Sequence, residues 1–153
     1  ATIRRQRQMC IRDRNRMNIK TQKKLKSLTN IYEFILIEGN HDKNIMYEIP
    51  SHKILRLNDI EFIHEAIVDD RHQISGHYHP TLSVKLNGKR VTEKCILQTE
   101  RKLILPSFGK YTGGLSINNK IFKPYLKSGF NAYICNEKNV YKFSSSDLKK
   151  NVK

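Results

Sequence analysis

Residues 32–42 read Tyr-Glu-Phe-Ile-Leu-Ile-Glu-Gly-Asn-His-Asp, an apolar run followed at once by a polar loop. The run 32–37 is short and rich in aromatic and branched aliphatic residues, so it predicts a buried strand. The loop after it contains Asn40, His41 and Asp42, whose amide, imidazole and carboxylate groups are metal-binding donors. Open α/β sheets commonly place their sites at the carboxyl ends of strands. This stretch therefore predicts a site at the end of a core strand.

The sequence predicts one helix before this stretch and a series of strands after it. The basic stretch 20–29 places Leu25 and Leu28 three residues apart, which is typical of a short helix. The dipeptide Asn-Gly at 87–88 predicts a hairpin turn, and 106–115 form a glycine-rich loop. Apolar runs bounded by turn residues predict further strands at 53–57, 60–64, 73–75, 81–86, 91–98, 102–105, 130–135 and 140–143. Such a scarcity of helix among many strands indicates the α+β class.

Further histidines follow two of the predicted strands. His64 ends one strand, and His77 and His79 belong to the pentapeptide Gly-His-Tyr-His-Pro at 76–80. Because proline favours an extended conformation in the residue before it, we expect extended backbone here, with both imidazoles on one side. Gly76 leaves room for a ligand to approach the backbone closely. Two-metal phosphoester hydrolysis needs such oxygen and imidazole donors around cations about 3.5–4 Å apart.

Each of these motifs has an ordinary structural interpretation when it is taken alone. Gly-Asn-His-Asp is most often a turn, and His-x-His is commonly a pair of exposed strand histidines. A single histidine such as His64 often lies in a core or at a sheet edge. The order of the motifs, each after a predicted strand, favours a hydrolytic metal centre. His52 and His72 lack such surroundings and are predicted to be surface residues.

The composition is that of one globular domain. A chain of 153 residues can bury roughly 70% of its unfolded surface. With 38% hydrophobic and 28% charged residues, it contains no apolar run as long as a bilayer span. Three cysteines are too few and too widely spaced for a disulfide framework or a thiolate zinc site. We therefore expect a reducing, cytoplasmic setting and no membrane partner.

The positive charge is concentrated near the start of the chain. The formal net charge is +15, and residues 1–30 contribute +9 of it, from ten Lys and Arg against the single acid Asp13. Such a surplus favours polyanionic partners, although a charged stretch is often a solvated tail. Residues 1–19 show no periodicity, and the stretch 8–14 resembles translated adapter sequence, so we expect a disordered or non-native basic tail. Residues 144–153 are expected to be a frayed polar tail.

The combined motifs are similar to those of a known superfamily. The order Gly-Asn-His-Asp, His and Gly-His-x-His resembles the second half of the calcineurin-like metallophosphoesterase signature. The pentapeptide at 76–80 together with 105–115 resembles one branch, the ligase-associated DNA damage response endonuclease (PdeM) family. The resemblance covers residues 20–143. It implies that these residues are the C-terminal part of a phosphoesterase domain, an αββα sandwich truncated at its N-terminal side.

The resemblance also implies a metal-binding role for four residues. Asn40, His64 and His77 would bind one ion, and His79 would bind the other. The implied cofactors are two divalent metal ions. Mn²⁺ is expected, with Zn²⁺, Fe²⁺ and Mg²⁺ as alternatives.

The catalytic residues implied by the resemblance are His41 and Asp42. His41 would protonate the leaving oxygen or stabilise its charge, and Asp42 would orient His41. The implied substrate is a phosphodiester, with DNA in repair as the first choice and DNA-repair proteins, including a DNA ligase, as partners. A small phosphomonoester, a cyclic nucleotide and a nucleotide pyrophosphate are alternative substrates.

The chain also departs from the superfamily pattern. The remaining ligands of that superfamily come from an Asp-x-His and a Gly-Asp upstream, and residues 1–38 contain neither. We therefore expect this chain by itself to be inactive or nearly so. The rival interpretation is a non-catalytic, basic nucleic-acid-binding domain whose histidines are structural. Basic and aromatic residues do not alternate along any predicted strand as in a stacking platform, which counts against the rival.

Overall fold

A computed structural model of the chain describes residues 19–40, 49–86, 88–109, 112–135 and 138–150. The chain divides into two compact units, residues 1–55 and residues 56–153. Most of the predicted tail, residues 1–18, lies outside the described residues, as do the candidate catalytic residues His41 and Asp42.

The described residues of the first unit form one helix and a short parallel strand pair. Helix α1 spans Ile19–Thr29 and confirms the helix predicted at 20–29. Strands β1 (Leu36–Ile37) and β2 (Ser51–His52) pair in parallel. The prediction of a buried strand over the whole of 32–37 is therefore wrong in extent. Strand β1 is short because β2 offers only two residues for pairing. Tyr32 lies outside β1, and its side chain is 61% exposed.

The described residues after β2 are dominated by strands that match most of the predicted runs. In chain order they are β3 (Ile54–Leu57), β4 (Ile60–Ile63), β5 (His72–Ser75), β6 (Pro80–Leu86), β7 (Lys89–Lys94), β8 (Ile96–Gln98), β9 (Lys102–Ile104), β10 (Leu115–Ser116), β11 (Asn131–Cys135) and β12 (Val140–Ser144). A short 3-10 helix at Lys120–Phe122 interrupts the series. The predicted α+β class is confirmed, since mixed sheets with few helices make up the described part of the chain.

The larger sheet mixes parallel and antiparallel strands. Its seven described strands lie in the order β12-β11-β8-β9-β5-β4-β3. Strand β5 is parallel to both β4 and β9, with Ser75 opposite Ile63 on one side and Ile104 on the other. Strand β11 is antiparallel to both β8 and β12. The parallel trio β4-β5-β9 therefore brings three carboxyl ends to one edge of the sheet.

The three-stranded sheet has the order β10-β6-β7 and contains the predicted hairpin. Strands β6 and β7 are antiparallel, and Gly88 takes a φ of 77° in the connecting turn. Asn87, the other predicted turn residue, lies outside the described residues. The single strand predicted at 91–98 is instead two strands, β7 and β8, in different sheets. They separate at Cys95, which is almost fully buried and donates its N–H to the carbonyl oxygen of Pro80.

One hydrophobic core draws on both sheets. Alternate residues are buried along the strands, as expected where one face of a sheet is covered. Strand β6 contributes Leu82 and Val84, and strand β11 contributes Ala132 and Ile134. Among the described residues, the other members of this core cluster are Ala66, Tyr78, Cys95, Leu97, Ile104, Ile117 and Phe122.

A buried polar cluster crosses the parallel trio towards the amino ends of its strands. Gln73 lies opposite both Glu61 and Lys102, and all three are nearly inaccessible to solvent. Lys102 Nζ donates to Asp69 Oδ1 at 2.6 Å, and Arg71 donates to both Asp69 and Glu61. Each buried charge is thus paired, which avoids the large cost of leaving one alone.

The end of the described chain is helical, where the sequence predicts a frayed tail. Helix α2 spans Ser145–Lys150. Ser144 N–H donates to Asp147 Oδ2 at 3.0 Å, and Asp147 N–H donates to Ser144 Oγ at 3.2 Å. These reciprocal bonds cap the helix start, and Leu148 packs against the core. Capping and packing together explain the helix. Within the described part of the chain, no helix has the length and apolarity needed to cross a bilayer.

Candidate active site

The candidate site lies at the carboxyl edge of β4 and β5. His64 directly follows β4, and Gly76 directly follows β5. Because these strands are parallel neighbours, their ends lie side by side, and Gly76 N–H donates to the carbonyl oxygen of His64 at 3.1 Å. The sheet therefore joins two motifs that are separated along the sequence.

The imidazoles of His64 and His77 are in direct contact. His64 Nε2 lies 2.9 Å from His77 Nδ1, and the ring centroids are 4.8 Å apart at an interplanar angle of 70°. At this distance one ring donates its N–H and the other accepts, so the tautomers of the two rings are coupled. This contact is the central feature of the site.

Glu65 adds a carboxylate beside the histidine pair. Its Oε1 accepts a hydrogen bond from the Tyr78 hydroxyl at 2.7 Å, and its Oε2 lies 3.9 Å from His77 Nε2. Burial raises the pKa of Tyr78, and the hydrogen bond to Glu65 acts in the same direction, so the phenol remains a proton donor. Sequence analysis missed Glu65. Its position directly after a strand-terminal histidine is the signal that identifies it.

The pentapeptide at 76–80 is a tight turn, which corrects the predicted extended backbone. His77 has a φ of 37° and His79 a φ of 49°, both in the left-handed region. Tyr78 N–H donates to the carbonyl oxygen of Gly76 at 2.6 Å, which closes the turn. Reversal of the chain between β5 and β6 outweighs the preference that Pro80 imposes on His79. Each left-handed residue costs about 1–2 kcal/mol, and such strain concentrates at functional sites.

The glycine-rich loop braces this turn. Leu115 N–H donates to the carbonyl oxygen of His79 at 3.1 Å. A Cβ atom on Gly114 would collide with that same carbonyl oxygen, so glycine is required for the close approach. Near the start of the loop, Lys94 Nζ donates to the carbonyl oxygens of Ser107 and Gly109. Both ends of the loop are therefore anchored.

His79 lies in the same electrostatic environment as the other two histidines. Burial lowers the pKa of His79, against the raising effect of its hydrogen bond with the Gly113 backbone. The neighbouring His77, His64 and Lys94 also lower that pKa. The neutral imidazole is consequently favoured, and this is the form in which histidine binds metal ions.

The structure places the remaining predicted residues as follows. Asn40 is exposed and belongs to the first unit, whereas His64, His77 and His79 belong to the second. His52 and His72 are exposed on strands, which confirms their prediction as surface residues. Of the four predicted metal ligands, the second unit thus holds three, and two of these are shown in contact.

The donor set of the described residues fits part of a metal site. Imidazole nitrogens are good ligands for Zn²⁺, Fe²⁺ and Mn²⁺, and His64 and His77 supply two of them at one sheet edge. Across the described ranges, however, no group of three or more His, Cys, Asp or Glu side chains is placed to hold an ion. The two imidazoles alone are therefore fewer side chains than such a group would require.

The mixed sheets and the few helices of the described residues define an α+β protein. The crystal structure of nuclease MPE from Pseudomonas putida is similar to this chain, with a TM-score of 0.57 and 21% sequence identity over 76% of the chain. The chain spans 57% of the length of that protein. No protein-family model matches the chain, and no curated protein matches its sequence.

Proposed function

We propose that this chain is part of a divalent-metal-dependent phosphoesterase, a phosphodiesterase or endonuclease that acts on DNA in repair. The observation that carries the proposal is the contact between His64 and His77 at the carboxyl edge of parallel strands. Similarity to the fold of nuclease MPE supports it. DNA-repair proteins, including a DNA ligase, are the proposed partners.

The proposed metal ligands are Asn40, His64 and His77 for one ion and His79 for the other. Two divalent ions, Mn²⁺ in the first instance, would activate water and stabilise charge at the phosphate. The protein contributes the orientation of its imidazoles. Glu65 Oε2 lies 3.9 Å from His77 Nε2, which places a carboxylate beside this imidazole.

The chemical steps assigned to the chain itself concern protons. His41 is proposed to protonate the leaving oxygen, and Asp42 to orient His41. General acid help of this kind is worth about 10²–10⁴-fold. It cannot replace the nucleophile, whose activation needs carboxylate ligands that residues 1–38 do not supply as Asp-x-His or Gly-Asp. This chain by itself is therefore expected to be inactive or nearly so. Its fold is proposed to be part of an αββα sandwich.

The net charge of +15 favours a second candidate function. In that proposal the chain is a non-catalytic, basic nucleic-acid-binding domain, and its histidines are structural. Binding would then need no metal ion, and completing the upstream motifs would produce no hydrolysis.

Hydrolysis of bis(p-nitrophenyl) phosphate with Mn²⁺ tests the proposal. The bare chain is compared with a chain extended by its native upstream sequence, and each is compared with its His77→Ala variant. Metal-dependent turnover only after extension, lost in His77→Ala, is the expected result. Absence of turnover in the extended chain would favour the binding domain. Robust turnover by the bare chain that His77→Ala eliminates would contradict the assignment of the missing ligands.

A further inference from the structure

Phe108 stands out among the apolar residues of the described chain. Its relative exposure is 107%, whereas the next most exposed large apolar residue, Ile19, is at 72%. Leaving a phenylalanine side chain in water forgoes about 1.5–3 kcal/mol of burial free energy. A single exposed apolar residue needs no explanation by itself, so the surroundings of Phe108 decide its meaning.

The backbone on both sides of Phe108 is clamped. Lys94 Nζ donates to the carbonyl oxygen of Ser107 at 3.1 Å and to that of Gly109 at 2.5 Å. Ser107 is buried, and its Oγ donates to the carbonyl oxygen of Thr112 at 3.3 Å. Because the carbonyl groups on both sides of Phe108 are held, binding of a partner by the ring would cost little further backbone entropy.

The clamped segment belongs to the loop that braces the candidate active site. Downstream of Phe108, Gly114 packs against the His79 carbonyl and Leu115 donates to it. The clamping residue Lys94 is close enough to His79 to lower the pKa of that imidazole. The ring of Phe108 is thus presented to solvent by the same loop that contacts the histidine turn.

We propose that Phe108 is a substrate-binding residue that stacks on a nucleobase of a single-stranded nucleic acid next to the cleaved phosphodiester. The inference rests on the proposed function, because it assumes a nucleic-acid substrate. An exposed aromatic ring on a held backbone is suited to base stacking, since every base presents a π face and no fixed hydrogen-bond pattern is needed. The basic chain supplies attraction to the backbone phosphates.

The absence of tryptophan from the sequence permits a direct test. Phe108→Trp introduces a single indole reporter, which is titrated with a single-stranded oligonucleotide and with an abasic deoxyribose-phosphate chain of the same length. The two ligands carry the same charge and differ in their bases. Quenching of the indole by the oligonucleotide, but not by the abasic chain, is expected.

Affinity measurements on the original chain and three variants complete the test. Phe108→Ala and Phe108→Leu should each weaken oligonucleotide binding by about 5- to 100-fold and leave binding of the abasic chain unchanged. Tyr141→Ala, which removes an exposed aromatic residue from β12, should alter neither. Equal affinity of the original chain and Phe108→Ala would overturn the proposal, as would full retention of affinity in Phe108→Leu.

The outcome is separable from that of the proposed function because the binding assay needs neither metal nor turnover. Base-dependent quenching in a protein whose extended chain never hydrolyses a phosphodiester would refute the phosphoesterase and the place of the base beside a cleaved bond, and would retain base stacking by Phe108. Metal-dependent hydrolysis together with affinity that is indifferent to Phe108 would retain the phosphoesterase and refute the stacking residue.

Discussion

The hydroxyl of Tyr78 donates a hydrogen bond to Glu65 Oε1 at 2.7 Å, although the two residues are 13 positions apart in the chain. Tyr78 is buried in the core, and its ring packs edge-on against Phe122 with centroids 5.7 Å apart. Glu65 lies at the rim, with its second carboxylate oxygen towards His77. A core residue thus holds the carboxylate that lies beside the candidate histidine pair.

Removal of this hydroxyl should cost measurable stability. Tyr78→Phe keeps the ring and deletes the hydrogen bond to a charged partner. Because Glu65 is half exposed and can turn to water, we expect a loss of only about 1 kcal/mol in the free energy of unfolding. Urea denaturation measures it. Tyr133→Phe is the matched control, since Tyr133 donates to Gln98 at an exposed position and should lose little. Equal losses would indicate that the bond to Glu65 has no special role.

Metal binding should depend on the contact between His64 and His77 and not on the number of histidines in the chain. Isothermal calorimetry with Mn²⁺ or Zn²⁺ should detect weak binding to this chain, and His77→Ala should abolish it. His72→Ala removes an exposed histidine from β5 and should leave binding unchanged. If both variants behaved alike, His64 and His77 would be a structural pair.

Substitution of two glycines by alanine should have different effects on the free energy of unfolding. Gly114→Ala places a Cβ against the His79 carbonyl oxygen, and backbone must move to relieve the clash. We expect a loss of about 1–3 kcal/mol in thermal or urea unfolding. A Cβ on Gly76 meets no atom within 4 Å, so Gly76→Ala should fold normally.

The Gly76→Ala variant also tests ligand approach. If a ligand approaches the backbone at Gly76, this variant should weaken metal or phosphodiester binding while its stability stays unchanged. Unchanged binding would show that the glycine serves the turn alone. A stable Gly114→Ala variant would contradict the close approach of the loop to His79.

The polar cluster at the other end of the parallel strands should make stability sensitive to acid. The hydrogen bond from Lys102 lowers the pKa of Asp69 to about 2, with Arg71 acting in the same direction. A carboxyl whose pKa is depressed by folding stabilises the protein above its unfolded pKa, and that contribution disappears as the pH falls from about 4 towards 2. Urea unfolding across this range measures the loss.

Asp69→Asn should be less stable than the original chain near neutral pH and should lose less stability on acidification. Asp59→Asn, a change at an exposed position beside β4, is the control and should follow the original chain. Parallel acid profiles for all three proteins would show that Asp69 does not set the acid response.

Local patterns in the sequence were sufficient for most secondary structure. Helix α1, the β6-β7 hairpin and the separate strands β11 and β12 could be predicted because apolar alternation and turn residues act between near neighbours in the chain. The positions of His64 and His77 after strands could likewise be predicted from the sequence. The same reasoning failed at Cys95, where burial and a hydrogen bond to Pro80 move the chain from one sheet to the other.

The sequence by itself thus determined the α+β class, most of the strands and the histidines that follow two of them. Only the tertiary structure decided that His64 contacts His77, that Glu65 is held by Tyr78, and that the 76–80 turn is left-handed at two histidines. The physical reason is that each of these depends on the parallel pairing of β4 with β5 and on the loop packed against the turn. Such contacts join residues distant in the chain, and their free energy can outweigh the local preference of the backbone.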